Sequence, residues 1–470
     1  MNKGSITIWV LVFGTVFIIM LTGLLGYLIF QIKDIKKTEA RNSGFHIAEA
    51  GLNFARWRLA HSPEDIGFSG VYDYRDPEGA ILGKFELELD SGTDCGPGIK
   101  IISSGWKDNF EGEKRVLKII YAKPSLASFS FLTNSNAWFG PEENLKGPFH
   151  SNGGIRMDGS QNSLSTSARE KYVCGAEHGC SSSNCFNPCV WKSGVGCECP
   201  GIWGEGEGGS QSLWEYPSSN IDFEKIIQDL AKLKEEAQAE GIYLSQPTRQ
   251  GFHLKFKSDS TIDVYSVQNL REKVWGYDGE KWVHESNSIE KESFFANYVL
   301  PSNCAPIFAE NDVWIDGVVN GRATVVAARL PDVSQNNAKI IIPDNIIYLN
   351  SNSSLGIISQ SDILVPLYSP SNLEIDAVML AQKGHVFRYY YPLWNWEPYR
   401  TYAKRDYLKT FGSIISYTMW TFSWVSGVGG PVVSGYETTD MRYDPNLTFN
   451  PPPMFPTTGD YEIVSWEEID

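Results

Sequence analysis

The pattern of hydrophobic and polar positions predicts one membrane-spanning helix at the start of the chain. Ser5 to Phe30 is a run of 26 residues without a charge. As an α-helix it is about 39 Å long, which exceeds the ~30 Å hydrocarbon core of a bilayer. No other stretch of the sequence is long and apolar enough to cross a membrane. The charged run that follows, Gln31 to Arg41, lacks the small-residue cleavage site of a secretory signal and is compatible with the same helix continuing.

The second half of this helix carries a narrow apolar stripe. Apolar residues recur at alternating intervals of three and four, which places them on one face of a helix: Phe45, Ala48, Leu52, Ala55 and Leu59. Proline disfavours helical geometry in the residue before it, so Ser62-Pro63 ends the element. The sequence therefore predicts one helix over residues 5–61. A membrane anchor followed by a coiled-coil or domain-packing segment without special function is the alternative.

Short strands with period-two alternation follow the helix. They are predicted at Gly83–Asp90, Ile99–Ser104 and Arg115–Tyr121, with Gly and Asp residues at the turns between them. We expect them to form an antiparallel meander that packs on the helix. Residues 63–123 are therefore predicted to be a small separate domain.

From Pro124 onward the chain consists of short apolar runs separated by polar corners. The corners precede successive apolar triplets at Asn311-Asp312, Asp344-Asn345, Ser361-Asp362 and Ser371-Asn372. Asx side chains hydrogen-bond to nearby backbone and tolerate left-handed geometry, so they turn a chain sharply. Rungs about 15–20 residues apart predict a parallel β-helix or similar solenoid over residues 124–159 and 299–470. An irregular β-sandwich is the alternative.

Two insertions interrupt the predicted rungs. Residues 160–219 are rich in Ser, Gly and Cys, and residues 220–298 contain an amphipathic helix that ends at Gly241. The segment Trp275–Trp282 predicts a hairpin around Asp278-Gly279. The predicted fold class is therefore mainly β, with a long N-terminal transmembrane helix, a solenoid-like ectodomain and a small α+β insertion.

Composition and charge narrow the partners and the compartment. The chain has 470 residues, a formal net charge of −16 and a pI of about 5.0, which argues against a nucleic-acid partner. Lys and Arg residues flank the apolar run on both sides, so charge alone does not set its orientation. Eight cysteines, six of them between positions 174 and 199, suit an oxidising exterior. We therefore place residues 31–470 outside the cytoplasm.

The cysteine cluster is predicted to be cross-linked. Its members are Cys174, Cys180, Cys185, Cys189, Cys197 and Cys199. The absence of a Cys-x₂-Cys pair argues against a zinc ribbon. Metal binding and free thiols are the alternatives to disulfides. The segment has no hydrophobic run from which to build a core, so disulfides are the expected way to order it. Cys95 and Cys304 are candidates for a fourth bridge. A disulfide-bonded loop of this kind is either an exposed recognition element or an inert insertion.

The sequence offers little that favours catalysis. His150 lies next to Ser151, but adjacency in sequence does not make a catalytic dyad, and a turn histidine bonded to backbone is the simpler interpretation. Aspartates recur along the rungs, at positions 312, 316, 332, 344, 362 and 376, and acids on a β-helix can hold calcium or act as acid and base. Asx turns already explain them. We predict no enzyme activity, no metal site and no cofactor.

The C-terminal region is predicted to be strand and extended chain. The aromatic run Phe411–Val425 has alternating polar members, which is typical of strands and not of a second membrane span. Asn450–Pro453 predicts a polyproline stretch that packs back on its own domain.

The N-terminus resembles that of PilX-type minor pilins. The resemblance lies in the short basic leader Met-Asn-Lys-Gly, the uncharged helix, and Phe45-His-Ile-Ala-Glu-Ala-Gly-Leu52, which is similar to the pattern A-F-x-A-A-E-A-G-L. It implies that residues 1–4 are a leader removed by a prepilin peptidase between Gly4 and Ser5. It also implies an assembly helix that includes Trp9, Phe45, Ala48, Glu49 and Leu52.

One position departs from the pilin pattern. Most pilins carry glutamate at the fifth mature residue, where this chain has Trp9. An acid there is thought to pair with the amine of a neighbouring subunit. A subunit without it would disturb a filament least at the tip, as in K-type pseudopilins. Alternatively, the Gly4-Ser5 bond is never cut.

The resemblance extends weakly into the body of the chain. Segments such as Gly147–Ile155, Gly317–Ala328 and Leu373–Gly384 are similar to an uncharacterised secreted module found behind PilX-type N-termini. We therefore expect a PilX-like minor pilin or pilus-associated surface protein. Its expected partners are other pilins, the cytoplasmic membrane, and a surface or glycan ligand. A permanently anchored cell-envelope scaffold and an anchored polysaccharide lyase or hydrolase are the alternatives.

Overall fold

A computed structural model describes residues 3–62, 65–90, 98–141, 143–205, 211–245, 249–333, 336–394, 396–418, 420–427, 430–458 and 461–469. The chain forms two compact units. The first contains residues 1–92, 98–122 and 461–470, and the second contains residues 93–97 and 123–460.

The first unit is a long helix and a five-stranded antiparallel sheet. Its elements are α1 (Lys3–His61), β1 (Gly70–Arg75), β2 (Ile81–Asp90), β3 (Ile99–Lys107), β4 (Arg115–Ala122) and the last strand of the chain, β36 (Glu462–Ile469). The strands lie in the order β1-β2-β3-β4-β36. The predicted long apolar helix and the three predicted strands are all present.

The last strand differs from the sequence analysis. Residues 461–470 were assigned to the solenoid, but β36 pairs with β4, where Trp466 lies opposite Ile119. Arg115 on β4 donates to Glu468, and Lys118 lies 3.0 Å from Glu467. Because β36 lies about 340 residues from its partner, no local pattern in the sequence indicates this pairing.

The helix and the sheet of the first unit bury the predicted stripe. Ala48, Leu52, Ala55 and Leu59 are buried against the sheet, and Phe45 is half-buried. The two elements approach each other through glycines. A Cβ on Gly105 of β3 would lie 2.3 Å from both the Ala48 amide nitrogen and the Gly44 carbonyl oxygen. Small residues on both sides are therefore a requirement of this contact.

Replacement of Gly105 by alanine is expected to lower the free energy of unfolding of the first unit by about 2 kcal/mol, because the new methyl group meets backbone atoms that cannot rotate away. Amide hydrogen exchange in β3 measures the effect. Gly112→Ala is the matched control, since a Cβ there meets nothing within 4 Å. Equal protection of β3 in the two variants would contradict the proposed close contact.

The second unit is built mainly from short strands. They are β5 (Phe131–Thr133), β6 (Ala137–Phe139), β7 (Asn144–Leu145), β8 (Phe149–Ser151), β9 (Ile155–Met157), β10 (Ser160–Gln161), β11 (Ser165–Ser167), β12 (Lys171–Cys174), β13 (Val190–Lys192), β14 (Gly196–Pro200), β15 (Ile202–Trp203), β16 (Trp214–Glu215), β17 (Ile242–Leu244), β18 (Gly251–Phe256), β19 (Thr261–Leu270), β20 (Val274–Tyr277), β21 (Trp282–Glu285), β22 (Ile289–Val299), β23 (Ile307–Ala309), β24 (Asp312–Val319), β25 (Arg322–Ala327), β26 (Ile340–Ile341), β27 (Ile346–Tyr348), β28 (Ser354–Ser359), β29 (Ile363–Leu364), β30 (Asn372–Ala381), β31 (Val386–Phe387), β32 (Lys404–Ser416), β33 (Trp420–Thr421), β34 (Ser423–Val425) and β35 (Val432–Tyr443). Its helices are α2 (Phe223–Ala239) and α3 (Tyr399–Tyr402).

These strands stack in parallel from rung to rung. One column runs in the order β17, β23, β25, β28, β30, β32, β5, β8, β11 and β16, and every step in it is a parallel pairing. The prediction of a mainly β body with a solenoid-like arrangement is confirmed. The chain does not follow the column in sequence order, because β32 near the C-terminus pairs with β5 near the start, with Ile414 opposite Phe131.

A row of small hydroxyl side chains marks one corner of this column. Its members occupy equivalent register positions and are fully buried: Ser359, Ser416, Thr133, Ser151 and Ser167. Each hydroxyl donates to a carbonyl oxygen, as Ser151 does to Ser135 at 2.7 Å and Ser167 does to Gly153 at 2.7 Å. The corners are thus closed by Ser and Thr after the triplets as well as by the Asx residues before them.

Both predicted insertions are smaller than the sequence suggested. In 160–219, β11, β15 and β16 pair in parallel with rungs, and the separate part is the antiparallel sheet of β12, β13 and β14. In 220–298, β17 and β18 also pair in parallel with rungs, β23 and β24. Short apolar triplets look alike in a rung and in an independent lobe, which is why the sequence did not separate them.

The remaining elements cover the outside of the rungs. Phe223, Leu230 and Leu233 of α2 are buried in an apolar cluster with β23 and β25, whereas the side chains of residues 225–229 lie outside the description. The predicted polyproline stretch packs back on its own unit. Arg322 and Thr324 donate to the carbonyl oxygens of Pro451 and Pro453.

Candidate functional site

The first candidate site is the apolar half of α1. It is the one described helix that is long and apolar enough to span a membrane. Its large side chains are exposed all round, from Ile6 at 68% to Ile35 at 66%. Thr15 and Thr22 donate to the carbonyl oxygens of Leu11 and Ile18, four residues earlier, so these hydroxyls need no water. A helix that is hydrophobic on every face requires lipid or other apolar helices around it.

The pilin-like motif lies where α1 meets the sheet. Ala48 and Leu52 are buried, Phe45 is 6.3 Å from Trp466 between ring centroids, and Glu49 is half-exposed at 3.2 Å from the Nδ1 atom of His46. These side chains therefore have a packing role within the first unit. Whether the helix assembles through them is not tested by this arrangement and stays a prediction.

The predicted cleavage position and Trp9 lie at the opposite end of the helix. Gly4 and Ser5 belong to its first turn, since α1 begins at Lys3. Trp9 is 60% exposed, and its ring lies 5.8 Å from that of Phe13. The Trp9 side chain is therefore apolar and faces outward, and it adds no charge to the helix.

Ion pairs tie the helix to the sheet just beyond the apolar half. Glu39 lies 2.7 Å from Lys107, and Glu113 lies 2.7 Å from Arg41 and 3.2 Å from Lys37. Hydrogen bonds from Arg41 and Lys37 lower the pKa of Glu113, and the one from Lys107 lowers the pKa of Glu39. Exposed pairs of this kind contribute little to stability, but they fix the direction in which the helix leaves the sheet.

The second candidate site is the cysteine cluster, and it is disulfide-bonded as predicted. The bridges are Cys174–Cys180, Cys185–Cys197 and Cys189–Cys199. Cys304 is also disulfide-bonded, whereas Cys95 lies outside the described residues. Among described residues, the groups of three with metal-ligand spacing consist of cysteines from these bridges. Their sulfurs are consumed in disulfides and are not available to a metal.

The disulfide loop, residues 171–200, has a small core that the sequence analysis did not anticipate. Tyr172 and Trp203 are buried with the cystines, and the Trp203 indole donates to the Tyr172 hydroxyl at 2.8 Å. Arg156 holds the base of the loop. Its guanidinium donates to the His178 carbonyl oxygen at 2.6 Å and to Asp158 at 2.7 Å. Isolated aromatic residues and cystines therefore replace the hydrophobic run that the segment lacks.

The outer surface of the disulfide loop carries large apolar side chains among polar ones. Its exposed apolar side chains include Val190 at 60%, Trp191 at 47% and Val195 at 55%. Exposed apolar groups on a cross-linked loop are typical of a recognition surface. This observation favours recognition over an inert insertion, the two interpretations that the sequence left open.

His150 and Ser151 bond to different partners and not to each other in the described hydrogen bonds. The His150 ring is buried and bonds to Thr166 at 2.7 Å and to Asn152 at 3.0 Å, whereas the Ser151 hydroxyl donates to the Ser135 carbonyl. Burial lowers the pKa of His150, although the bond to Asn152 opposes this. His150 thus lies in strand β8 and bonds to side chains, which corrects the expectation of a turn histidine bonded to backbone.

The aspartates along the rungs engage separate partners. Asp312 lies 3.0 Å from Arg329, Asp316 lies 2.9 Å from His253, and Asp332 pairs with Lys383. Asp362 lies 3.3 Å from His385, and Asp344 accepts from the amide of Asn345 within its own turn. Only some of these acids therefore act as the predicted Asx corners, and the others pair with neighbouring basic side chains.

Comparison with known proteins adds a structural likeness. No protein-family model and no curated protein matches the chain. Among solved structures, it is similar to the crystal structure of the competence-associated pilin ComZ from Thermus thermophilus. The likeness covers 92% of this chain and 97% of that chain at 12% sequence identity, with a TM-score of 0.29. At this level of similarity, function has to be inferred from the residues of the chain itself.

Proposed function

We propose that this protein is a PilX-like minor pilin or pilus-associated surface protein. The observation that carries the proposal is one uninterrupted helix with two different surfaces. Its first half is apolar and exposed on every side, and its second half is fixed to a sheet by glycine contacts. Other pilins and the cytoplasmic membrane are the proposed partners of the first half.

A pilin needs both surfaces in one helix. Before assembly the apolar half resides in the bilayer, and after assembly neighbouring apolar helices replace the lipid around it. Neither environment supplies water, so all backbone groups of this half must be bonded within the helix, which α1 provides. The sheet-bound half meanwhile keeps the globular region attached to the assembling helix.

The body of the protein is the proposed binding head. Three disulfides in one loop suit an oxidising exterior, in agreement with residues 31–470 lying outside the cytoplasm. The exposed apolar side chains of the disulfide loop support a role in contacting a surface or another pilus component. The modules proposed for the chain are thus a leader, an assembly helix with its small sheet, and the solenoid-like head.

The proposal is tested by the mature N-terminus. When the protein is coexpressed with a prepilin peptidase, intact mass spectrometry is expected to show a chain that begins at Ser5. Gly4→Leu is expected to block cleavage, whereas Gly14→Leu, at a position where a side chain has open space, leaves it unchanged. The cleaved protein is then expected in sheared surface filaments. An intact Met1 in the presence of active peptidase contradicts the pilin proposal.

A permanently anchored envelope scaffold is the second candidate. Trp9 favours it, because an uncharged and outward-facing side chain lets the helix remain in lipid without any partner subunit. The same mass measurement distinguishes the two, since a scaffold keeps residues 1–4 and stays in the membrane fraction after shearing.

A further inference from the structure

The hairpin of β20 and β21 has an unusual outer face. Its inner face is fixed to the core, where Val274 and Gly276 are buried and Glu285 accepts from the Tyr391 hydroxyl at 2.7 Å. A Cβ on Gly276 would lie 2.9 Å from the ring of Tyr389, so this strand is pressed against the core. The hairpin is therefore held rigidly, and only its other face is available to a partner.

The outer face consists of two cross-strand pairs of aromatic rings. Trp275 lies opposite His284 and Tyr277 opposite Trp282. The first pair is stacked, with centroids 4.8 Å apart and planes at 17°, and the second has centroids 5.6 Å apart. Trp275 is 42% exposed and Trp282 50%. The solvent face of an antiparallel hairpin is ordinarily polar, so four rings in this position require an explanation.

Two further tryptophans lie near this face. Tyr399 accepts a hydrogen bond from the backbone N–H of Trp275, and its ring lies 5.0 Å from Trp394 and 4.9 Å from Trp396. Trp396 is 55% exposed and stacks on Trp394 at 5.5 Å. We call the combined surface the aromatic platform, and define it as Trp275, Tyr277, Trp282, His284, Trp394 and Trp396.

Four other tryptophans of the second unit are hydrogen-bonded through their indole N–H groups. Trp138, Trp203, Trp314 and Trp424 donate their indole N–H groups to protein oxygens. Within the part of the chain that the structure describes, the indoles of the platform make no such bond. Their rings are held by contacts with neighbouring rings, so little side-chain entropy remains to be lost when a ligand binds.

We propose that the aromatic platform binds a β-linked glycan chain. The face of an aromatic ring carries partial negative charge, which attracts the polarised C–H groups on the flat face of a hexopyranose ring. The free indole donors and the exposed side chains of Glu280, Lys281 and Glu397 can then bond to the equatorial hydroxyls. The proposal rests on the proposed function only in placing this region outside the cell.

The same surface fits a membrane or a second copy of the chain less well. Glu280 and Glu397 at its edge, and the net charge of −16, oppose contact with anionic lipid and with another copy. Protein interfaces also combine aromatic with aliphatic groups, whereas the exposed apolar atoms here come mostly from rings, with Leu393 as the neighbouring aliphatic side chain. A sugar ring is the partner for which ring faces alone suffice.

Isothermal titration of the full-length protein in detergent micelles tests the proposal, with cellohexaose, chitohexaose and xylohexaose as probes. At least one of these β-1,4-linked chains is expected to bind, and α-linked maltohexaose is expected to bind at least tenfold more weakly. Trp282→Ala and Trp396→Ala, on separate segments, are each expected to weaken binding at least tenfold. Trp191→Ala, an equally exposed tryptophan in the disulfide loop, is the matched control and leaves binding unchanged within twofold.

Each contrary outcome overturns the inference. It fails if none of the three β-linked chains binds, or if both platform variants bind as the wild type does. It also fails if no glycan binds and the platform variants instead lose self-association or vesicle binding, because the platform would then contact protein or membrane. Two variants are used so that misfolding of the hairpin in one of them, seen as a lower melting temperature, leaves the other decisive. An intact Met1 would end the pilin proposal without affecting this result.

Discussion

Replacement of Arg388 by alanine is expected to lower the free energy of unfolding of the second unit by about 4 kcal/mol. Arg388 follows β31 and is fully buried. Its guanidinium donates to the carbonyl oxygens of Pro366 at 2.8 Å, Tyr402 at 2.6 Å and Leu367 at 3.3 Å. Truncation to alanine leaves these buried acceptors unbonded and also opens a cavity. Each of these two effects lowers the free energy of unfolding.

Aromatic rings lie beside the Arg388 guanidinium, which is 5.1 Å from the ring of Tyr391 and 5.7 Å from that of Tyr436. The backbone acceptors of Arg388 lie in two segments, one before β30 and one before β32, so its removal affects both. The three carbonyl acceptors require the several N–H donors of a planar guanidinium group. Lysine carries a single ammonium group and cannot bond to all of them in the same geometry.

Urea unfolding followed by tryptophan fluorescence measures the effect. Arg388→Ala is expected to shift the transition of the second unit to lower urea, with Arg388→Lys intermediate. Arg400→Ala is the matched control, because this nearby arginine is exposed, and it is expected to stay within about 0.5 kcal/mol of the wild type. A loss below 1 kcal/mol for Arg388→Ala would show that the carbonyls find other partners.

The parts of the fold that were predictable from sequence are those fixed by local periodicity. The helix over residues 3–61 follows from an uncharged run and a stripe at intervals of three and four. The strands β2, β3 and β4 follow from alternation, and the hairpin of β20 and β21 follows from Asp278-Gly279. In each case the residues that determine the element lie within it or beside it.

The parts that were not predictable depend on distant segments. The pairing of β32 with β5 joins residues about 280 positions apart, and β36 leaves the second unit to complete the sheet of the first. A triplet such as Phe131–Thr133 is compatible with many neighbours, since parallel pairing uses backbone groups that every strand has. Only the exact packing of side chains inside the column selects among them.

The candidate sites show the same division. The apolar helix and the cysteine cluster stand out because their residues are close together in sequence. The aromatic platform does not, because its rings come from the hairpin and from Trp394 to Tyr399, more than 100 residues later. Trp275 and Tyr277 before the turn mirror His284 and Trp282 after it, and this spacing could have indicated a shared face. The sequence did not show which face would be outward.

A rise in pH from 6.5 to 9.5 is expected to remove about 3 kcal/mol of stability contributed by His253. Its ring is buried on β18 and bonds to Glu292 at 2.8 Å and to Asp316 at 2.9 Å. Burial disfavours the charged form, but the bonds to Asp316 and Glu292 outweigh it and raise the pKa of His253 to about 9. Lys255, 3.9 Å from Asp316 and half-exposed, is the other charge nearby.

The sign of this dependence follows from the direction of the pKa shift. Because the folded-state pKa lies above the ordinary value of 6.5, the folded protein holds a proton that the unfolded chain releases between these two pH values. The contribution is complete below pH 6.5, declines through the interval and is absent above pH 9. Between pH 6.5 and 9.5, a rise in pH therefore weakens this triad.

His253→Gln isolates the effect, because glutamine fills a similar space and does not titrate. The difference in free energy of unfolding between wild type and His253→Gln is expected to be about 3 kcal/mol at pH 6 and near zero above pH 9. Glu292→Gln keeps one carboxylate and is expected to show a smaller dependence on pH. The difference between the two proteins cancels the contributions of the other groups that titrate in this range. A difference that stays constant from pH 6 to 9.5 would mean that His253 is neutral in the folded protein.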